Sequence, residues 1–313
     1  MADLPLVILT IITPVVYGLT LASNFLSSSV GRDLGLFVSS VSQQSDKYEV
    51  DITPAGWMFS IWGIIYVWLG LWIVYSLVNL CRRVGNGRAY NSPTLLTTPF
   101  FAIFIVNLLC NISWIFLFDR SEIEAAFVAL FFIAFTLYVC MFLSYTRLDE
   151  HKDTLIKEGR TYDIWLVRIL VHNGLGTYAA WTSIATLLNL AIVMIYSPSD
   201  GVSNKDASTV ALSLLLVGLL AYAIADFVFL DRYTRYTVTP FIVVPLALGA
   251  SISKNWKDAD RNSIFTAALL GIALACFVVK VFLLFWRHFR SSSHSASISE
   301  SKENISKDPK SVL

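Results

Sequence analysis

The chain has 313 residues, 56% of them hydrophobic and 14% charged, with a formal net charge of +1. A soluble globule of this length would show more charge to water, and no loop interleaves basic residues with aromatics, so composition excludes an ordinary soluble domain and a nucleic-acid partner. It predicts an all-α, polytopic transmembrane helical bundle.

A bilayer core about 30 Å thick takes roughly 20 apolar residues per helix. Segments that qualify lie at about 4–24, 56–79, 98–118, 124–145, 165–196, 208–230, 237–253 and 264–287, which predicts about eight spans. The first begins MADLPLV, without a basic lead-in or a following small-residue cleavage site, and reads as a retained helix rather than a secretory signal. The serine-rich stretch 25–54 fits an ordered lid over the bundle or a slack connection equally well.

The second segment, within TPAGWMFSIWGIIYVWLGLWIVY (Thr53 to Tyr75), concentrates Trp57, Trp62, Trp68 and Trp72 without a charge. Trp57 and Trp72 suit opposite membrane interfaces, whereas Trp62 and Tyr66 share one helix face deeper in. The third segment places Asn107, Asn111 and Trp114 on one face. Carboxamides are costly in hydrocarbon, so that face should look into the bundle.

In the fifth segment Trp181, Ala185 and Asn189 align, with Tyr178 and Thr182 close by. Two readings stand: interhelical hydrogen bonding between Asn111 and Asn189, or a polar-tipped, aromatic-walled cavity between segments two, three and five. His172 reads as an interfacial or packing residue bonded to Asn173 or a backbone carbonyl. The seventh segment, TPFIVVPLALGASIS, is short and holds Pro240 and Pro245, so seven spans is the alternative count. Asp226 and Lys280 lie at similar depth in segments six and eight and are expected to pair, as a structural unit or along a conducting route. Ala267, Gly271 and Ala275 form a small-residue ridge expected to pack against a neighbouring helix.

With eight spans, Arg82, Arg83, Arg88, Arg147, Arg160, Arg232, Arg235 and the basic residues from Arg287 onward share a side with both termini. The positive-inside rule makes that side cytosolic, although Lys254, Lys257 and Arg261 fall opposite. Residues 291–313 have the composition of a disordered cytosolic tail. Its last residues, Ser311 to Leu313, have the form of a PDZ-domain ligand. No hydrolase, zinc-protease or phosphate-loop motif occurs, and the cysteines lack a histidine cluster, so no catalytic residue, cofactor or metal is expected.

The order PAGW-x-F-x-x-W-G-x-x-Y from Pro54 to Tyr66, N-x-x-W from Asn111 to Trp114, and Y-x-x-W-x-x-x-A-x-x-x-N from Tyr178 to Asn189 resembles the TspO/MBR family of tryptophan-rich sensory and translocator proteins. In particular it is similar to the longer members, which continue beyond a five-helix core. The similarity covers about residues 5–196, while 197–290 resembles only the hydrophobic extension of those forms. The resemblance implies a five-helix TspO-like core over 1–196, a three-helix extension over 197–290, and a pocket for porphyrins, sterols or synthetic apolar ligands beneath the loop between helices one and two.

Matching positions are Trp57, Trp62, Tyr66, Asn111, Trp114, Tyr178, Trp181, Ala185 and Asn189, to which the helix-three face adds Asn107. Ala55 stands where the family often has a second proline, and the first loop is long and lacks tryptophan. Helix five is not followed by the sterol-recognition pattern of compact translocator proteins; loose matches fall instead at Leu143–Arg147 and Leu230–Arg235. The expected activity is binding of an apolar or amphipathic small molecule inside the membrane, with transport as the alternative. Expected partners are a tetrapyrrole-like or other apolar molecule, membrane lipid, a second copy of the chain and a PDZ-domain protein.

Overall fold

The computed structural model describes residues 3–27, 31, 33–85, 87–197 and 201–307, with backbone alone from 291 onward. Its main helices are α1 (Leu4–Leu26), α2 (Gly56–Cys81), α3 (Thr98–Asp119), α4 (Ile123–Lys157), α5 (Thr161–Tyr196), α6 (Asn204–Phe229), α7 (Pro240–Asn255) and α8 (Arg261–Lys307). A short helix, Val41–Lys47, sits in the first loop, and β1 (Arg83–Val84) pairs with β2 (Gly87–Arg88) in a minimal hairpin after α2. The chain is a multi-pass helical membrane protein. Residues 308–313, with the PDZ-like terminus, lie outside the described residues, as do the side chains of most of the expected tail.

Seven of the helices are long and apolar enough to cross a membrane. The eighth expected segment forms α7, which has 16 residues. At 1.5 Å per residue it is about 24 Å long, short of a hydrocarbon core of about 30 Å. Pro240 sets its first turn, so the helix starts after the segment boundary expected from hydropathy.

The axis of the bundle is α5. In its most apolar window 61% of residues are buried, against 17% in α8, so α5 packs on protein on nearly all sides while α8 faces lipid over most of its surface. An unbroken run from Gly174 to Thr182 is buried. Around it α3 packs on α4, α4 on α5, and α1 on α3, while α7 and α8 pack together and α7 also lies on α5.

The joint between α5 and α7 is made by Asn173. Its Nδ2 donates to the Tyr236 carbonyl at 2.8 Å, its Oδ1 accepts from the backbone N–H of Val238 at 2.9 Å, and its own carbonyl accepts from Thr239 Oγ1 at 2.8 Å. One side chain thereby satisfies the irregular backbone leading into Pro240, which hydrocarbon could not solvate. Gly176, one turn further, permits the close approach: a Cβ there would stand 3.0 Å from Thr239 Oγ1 and 3.1 Å from Thr237 Cγ2.

Contacts at the two ends of the bundle fix how the helices run. At one end Tyr196 Oη donates to the Glu49 carbonyl, Lys254 pairs with Asp46, and Arg261 at the start of α8 pairs with Asp206 at the start of α6. At the other, Arg82 pairs with Asp163, Arg232 with Asp149, and Arg287 with Asp231. Helices α6 and α8 therefore run in the same direction, and α7 returns between them.

Lys280 and Asp226 form the pair their depth predicts, with Nζ 2.7 Å and 2.9 Å from the carboxylate oxygens and a third bond to the Thr234 carbonyl at 3.0 Å. Both are buried. Asp226 lies in a π-helical turn, Ala225–Phe229, that ends α6.

Two expectations are corrected, and a third is narrowed to its packing alternative. Trp72 does not lie at a membrane interface: it is wholly buried against Phe100 and Phe104. The ridge of Ala267, Gly271 and Ala275 does not pack: Gly271 and Ala275 are exposed, and the buried stripe of α8 is Asn262, Thr266, Leu269, Ala273 and Lys280, oriented by the polar members that need partners. His172 is a packing residue rather than an interfacial one, and its partner is Ser144 rather than Asn173. Helix α5 starts earlier than expected, so His172 lies deep, with Nε2 3.0 Å from Ser144 Oγ and its ring against Tyr145.

Breaking a buried ion pair by removing one partner costs about 3–5 kcal/mol, whereas removing both is far milder. Asp226→Asn or Lys280→Met alone should sharply lower the monodisperse yield in size-exclusion chromatography, and the double variant should recover most of it. Full yield from both single variants would show that the pair does not hold the fold.

Candidate functional site

Trp62 is the centre of a ring cluster drawn from three helices. It stacks on Tyr66 at 5.7 Å and on Trp114 of α3 at 5.6 Å, and meets Tyr178 and Trp181 of α5 edge-on at 5.9 Å and 6.4 Å. Phe59 adds an edge-on contact with Trp181, and Phe118 stacks on Trp114. Offset and edge-to-face arrangements match the ring quadrupoles, each pair contributing about 0.5–1.5 kcal/mol beyond burial.

Asn111 ties these helices together. Its Nδ2 donates to Tyr178 Oη at 2.9 Å, its Oδ1 accepts from Asn24 Nδ2 of α1 at 2.9 Å, and Tyr66 Oη reaches the same oxygen at 3.5 Å. A fully buried carboxamide thus links α1, α2, α3 and α5. Tyr17 Oη adds a bond to the Tyr66 carbonyl at 2.5 Å.

The other expected residues divide. Asn107, one turn before Asn111, turns to α4, donating to the Ile133 carbonyl and Thr136 Oγ1. Asn189 does not reach Asn111; its Nδ2 bonds the Ala185 carbonyl within its own helix. Ala185 is buried beside it. Trp57, at the loop exit, is 57% exposed. Buried without hydrogen-bond partners are Nε1 of Trp114, Nε1 of Trp181 and Oδ1 of Asn189.

Between α2, α3 and α5 the rings themselves fill the space. The open volume lies to one side, as a cleft of about 510 Å³ between α1 and α2, lined by Leu21, Asn24, Phe25, Phe59, Trp62 and Tyr66 and roofed by Ser40, Val41 and Ser42. Trp62 and Tyr66 belong both to the cleft wall and to the ring cluster.

The roof is ordered, which decides between lid and slack connection. The Asp119 carboxylate accepts from the backbone N–H groups of Val38 and Ser39 at 3.0 Å and 2.8 Å, Gln44 Nε2 donates to the Phe118 carbonyl, and Phe37 stacks on Phe116 at 4.9 Å. Ser40 and Gln43 form a capping box that starts the short helix. The far half of the loop is held by the extension: Ala55 N–H donates to the Ala250 carbonyl, Asn255 Nδ2 to the Thr53 carbonyl, and Lys254 and Lys257 pair with Asp46 and Asp51.

Sequence reasoning missed Asn24, Tyr17 and Asp119. Asn24 carried a usable signal, being a carboxamide at the end of an apolar segment just as Asn111 is within one. Asp119 did not, because a carboxylate after a helix looks the same whether it caps a loop or faces water.

Asn111→Ala strands the partners on α1 and α5, a loss of about 1–3 kcal/mol. It should lower the thermal midpoint in detergent clearly, whereas Asn189→Ala, which breaks only a bond within its own helix, should move it little. Equal shifts would contradict the central place given to Asn111.

Compared with known proteins, the sequence profile of the family described as TSPO-like protein matches residues 10–282. No curated protein and no solved structure matches the chain.

Proposed function

Because the chain belongs to the TSPO-like protein family, we propose that it binds an apolar or amphipathic small molecule, of porphyrin, sterol or lipid-like class, in the membrane-level cleft beneath the first loop. The observation that carries this reading is the position of Trp62, which lines the cleft and is also a member of a ring cluster that holds two orphaned indole N–H groups. Apolar walls with a few placed polar groups are what such ligands require. Asn24 and Tyr66 supply the polar groups at the wall. Rotation of Trp62 would open the path to the N–H donors of Trp114 and Trp181, whose burial without partners is otherwise a standing cost. The ring cluster then acts as an expandable second compartment.

The arrangement also supports α7 as the seventh of eight crossings, with 1–196 as a five-helix core and 197–290 as an extension. The start of α1 shares a small cavity with Tyr75 and Asn79 at the arginine-rich end of the bundle, and α8 finishes at that same end. Positive-inside bias then makes that end cytosolic, with both termini.

Transport is the second reading, favoured by the buried Asp226 and Lys280 and by the π-helical turns at Val167–His172 and Ala225–Phe229, a backbone irregularity frequent at functional sites.

Titration with protoporphyrin IX and, separately, with cholesterol should change the intrinsic tryptophan fluorescence saturably for at least one of them. Trp62→Ala should weaken that binding by about 1.5–3 kcal/mol, the scale for losing a buried apolar side chain, while Trp286→Phe at the lipid surface leaves it intact. Equal affinity in folded Trp62→Ala protein would remove the cleft as the site. Saturable binding without flux of the same probe into proteoliposomes would favour a binder over a carrier.

A further inference from the structure

Away from the cleft, the first half of α5 carries a cation that has no acidic partner among the described residues. Arg168 lies in the π-helical turn Val167–His172. Its guanidinium carbon stands 4.1 Å from the centre of the Tyr236 ring and 5.2 Å from that of Trp165, and those two rings meet edge-on at 4.9 Å. Tyr236 is itself held by a 3.0 Å hydrogen bond between its hydroxyl and His288 Nδ1. Three elements, α5, the segment before α7, and α8, therefore converge to fix the plane of one guanidinium.

Among the described residues no carboxylate, carbonyl or hydroxyl accepts a hydrogen bond from Arg168. The surrounding charge does not supply an anion either. Arg235 and Arg287 share the single carboxylate of Asp231, at 2.6 Å and 2.7 Å, which leaves this corner with a positive excess. Arg160, at the N-cap of the same helix, has Asp163 and Glu158. Arg168 differs in having its guanidinium over two aromatic rings and, among the described residues, no ion pair.

The position faces the membrane interface. Trp165 is 37% exposed, Ile169 on the next residue 51%, and Trp286 on α8 50%, with Arg290 over the Trp286 ring. Exposed tryptophans of this kind mark the headgroup level. A guanidinium presents five N–H donors in a rigid fork that matches phosphate oxygens two at a time, and stacking on rings reduces the entropy lost when it binds. An arginine that merely extended to water would not need two aromatic walls and a hydrogen-bonded tyrosine to hold its plane.

We propose that Arg168, clamped by Trp165 and Tyr236, is a binding site for the phosphate of an anionic membrane lipid, seated where α5, the segment before α7 and α8 meet. The phosphate accepts from the guanidinium fork, the acyl chains lie along the exposed apolar faces beside Ile169 and Phe285, and the positive excess around Asp231 selects an anionic headgroup over a zwitterionic one. This site is separate from the cleft beneath the first loop and does not depend on that reading.

The test uses the full chain in nanodiscs of phosphatidylcholine, with or without phosphatidylglycerol, read by thermal midpoint and by native mass spectrometry of retained phospholipid. Phosphatidylglycerol should raise the midpoint and leave a bound lipid that survives release from the disc. Arg168→Gln should weaken that retention by about tenfold or more, on the scale of losing a charge-assisted hydrogen-bonded pair. Arg168→Lys, which keeps the charge without the fork and guards against a folding defect in the first variant, should fall between the two. Arg290→Gln, which removes the same charge from a nearby exposed position, should behave as wild type. Equal retention in wild type and Arg168→Gln, an equal loss in Arg290→Gln, or full retention in Arg168→Lys would each overturn the proposal. So would reproduction of the stabilisation by inorganic phosphate in pure phosphatidylcholine discs, which would mark a site for free anions.

Discussion

Inside a bilayer every polar group must find its partner within the protein, because hydrocarbon offers none. This constraint organises the molecule. Asn111 satisfies groups on α1, α2 and α5 from a position on α3; Asn173 on α5 receives the backbone that leads into α7; Lys280 on α8 neutralises Asp226 on α6 and caps the Thr234 carbonyl. Each of these connections crosses between helices that apolar packing alone would leave free to slide, since lipid tails solvate leucine as well as another helix does. Apolar side chains fill the spaces between the connections and face outward over α1, α6 and α8.

The same constraint gives the ring cluster its character. Aromatic surfaces pack well around Trp62, yet Trp114 and Trp181 keep indole N–H groups that nothing accepts. Trp72, packed on Phe100 and Phe104 away from the cluster, keeps a third such group. The roof above the cleft is shared: Asp119 of the core holds one half and α7 the other, through Ala250, Lys254 and Asn255. The helices beyond residue 196 are therefore joined to the first loop as well as to α5, and the family match likewise runs without a break to residue 282.

Much of this was legible in the sequence wherever a residue was expensive in its setting. Asn111, Asp226 and Lys280 stood out because a polar or charged group in an apolar run must be answered, and the partner of Asp226 could be named from depth alone. Trp62 and Tyr66 followed from helical spacing. The partner of Asn111 could not be named, because Tyr178 and Asn189 project from nearly the same face of α5 about three turns apart, and only the relative depth of α3 and α5 decides between them. Asn107 shares a stripe with Asn111 on paper, yet α3 lies between two neighbours and shows one carboxamide to each. The ridge at Ala267 and Gly271 misled for a related reason: small residues permit close packing but do not demand it, whereas Asn262 and Lys280 demand it. Hydropathy marked α7 but not its length, which Pro240 sets.

The central claim is that the cleft walled by Trp62 holds an apolar small molecule within the membrane. Native mass spectrometry of the full chain, extracted gently from its own membrane, addresses it most directly. The account predicts a retained non-phospholipid adduct of porphyrin, sterol or similar apolar class, present at one per chain and lost when Trp62 is replaced by alanine. Bare protein from an extraction that preserves phospholipid adducts, or an adduct indifferent to Trp62, would contradict it.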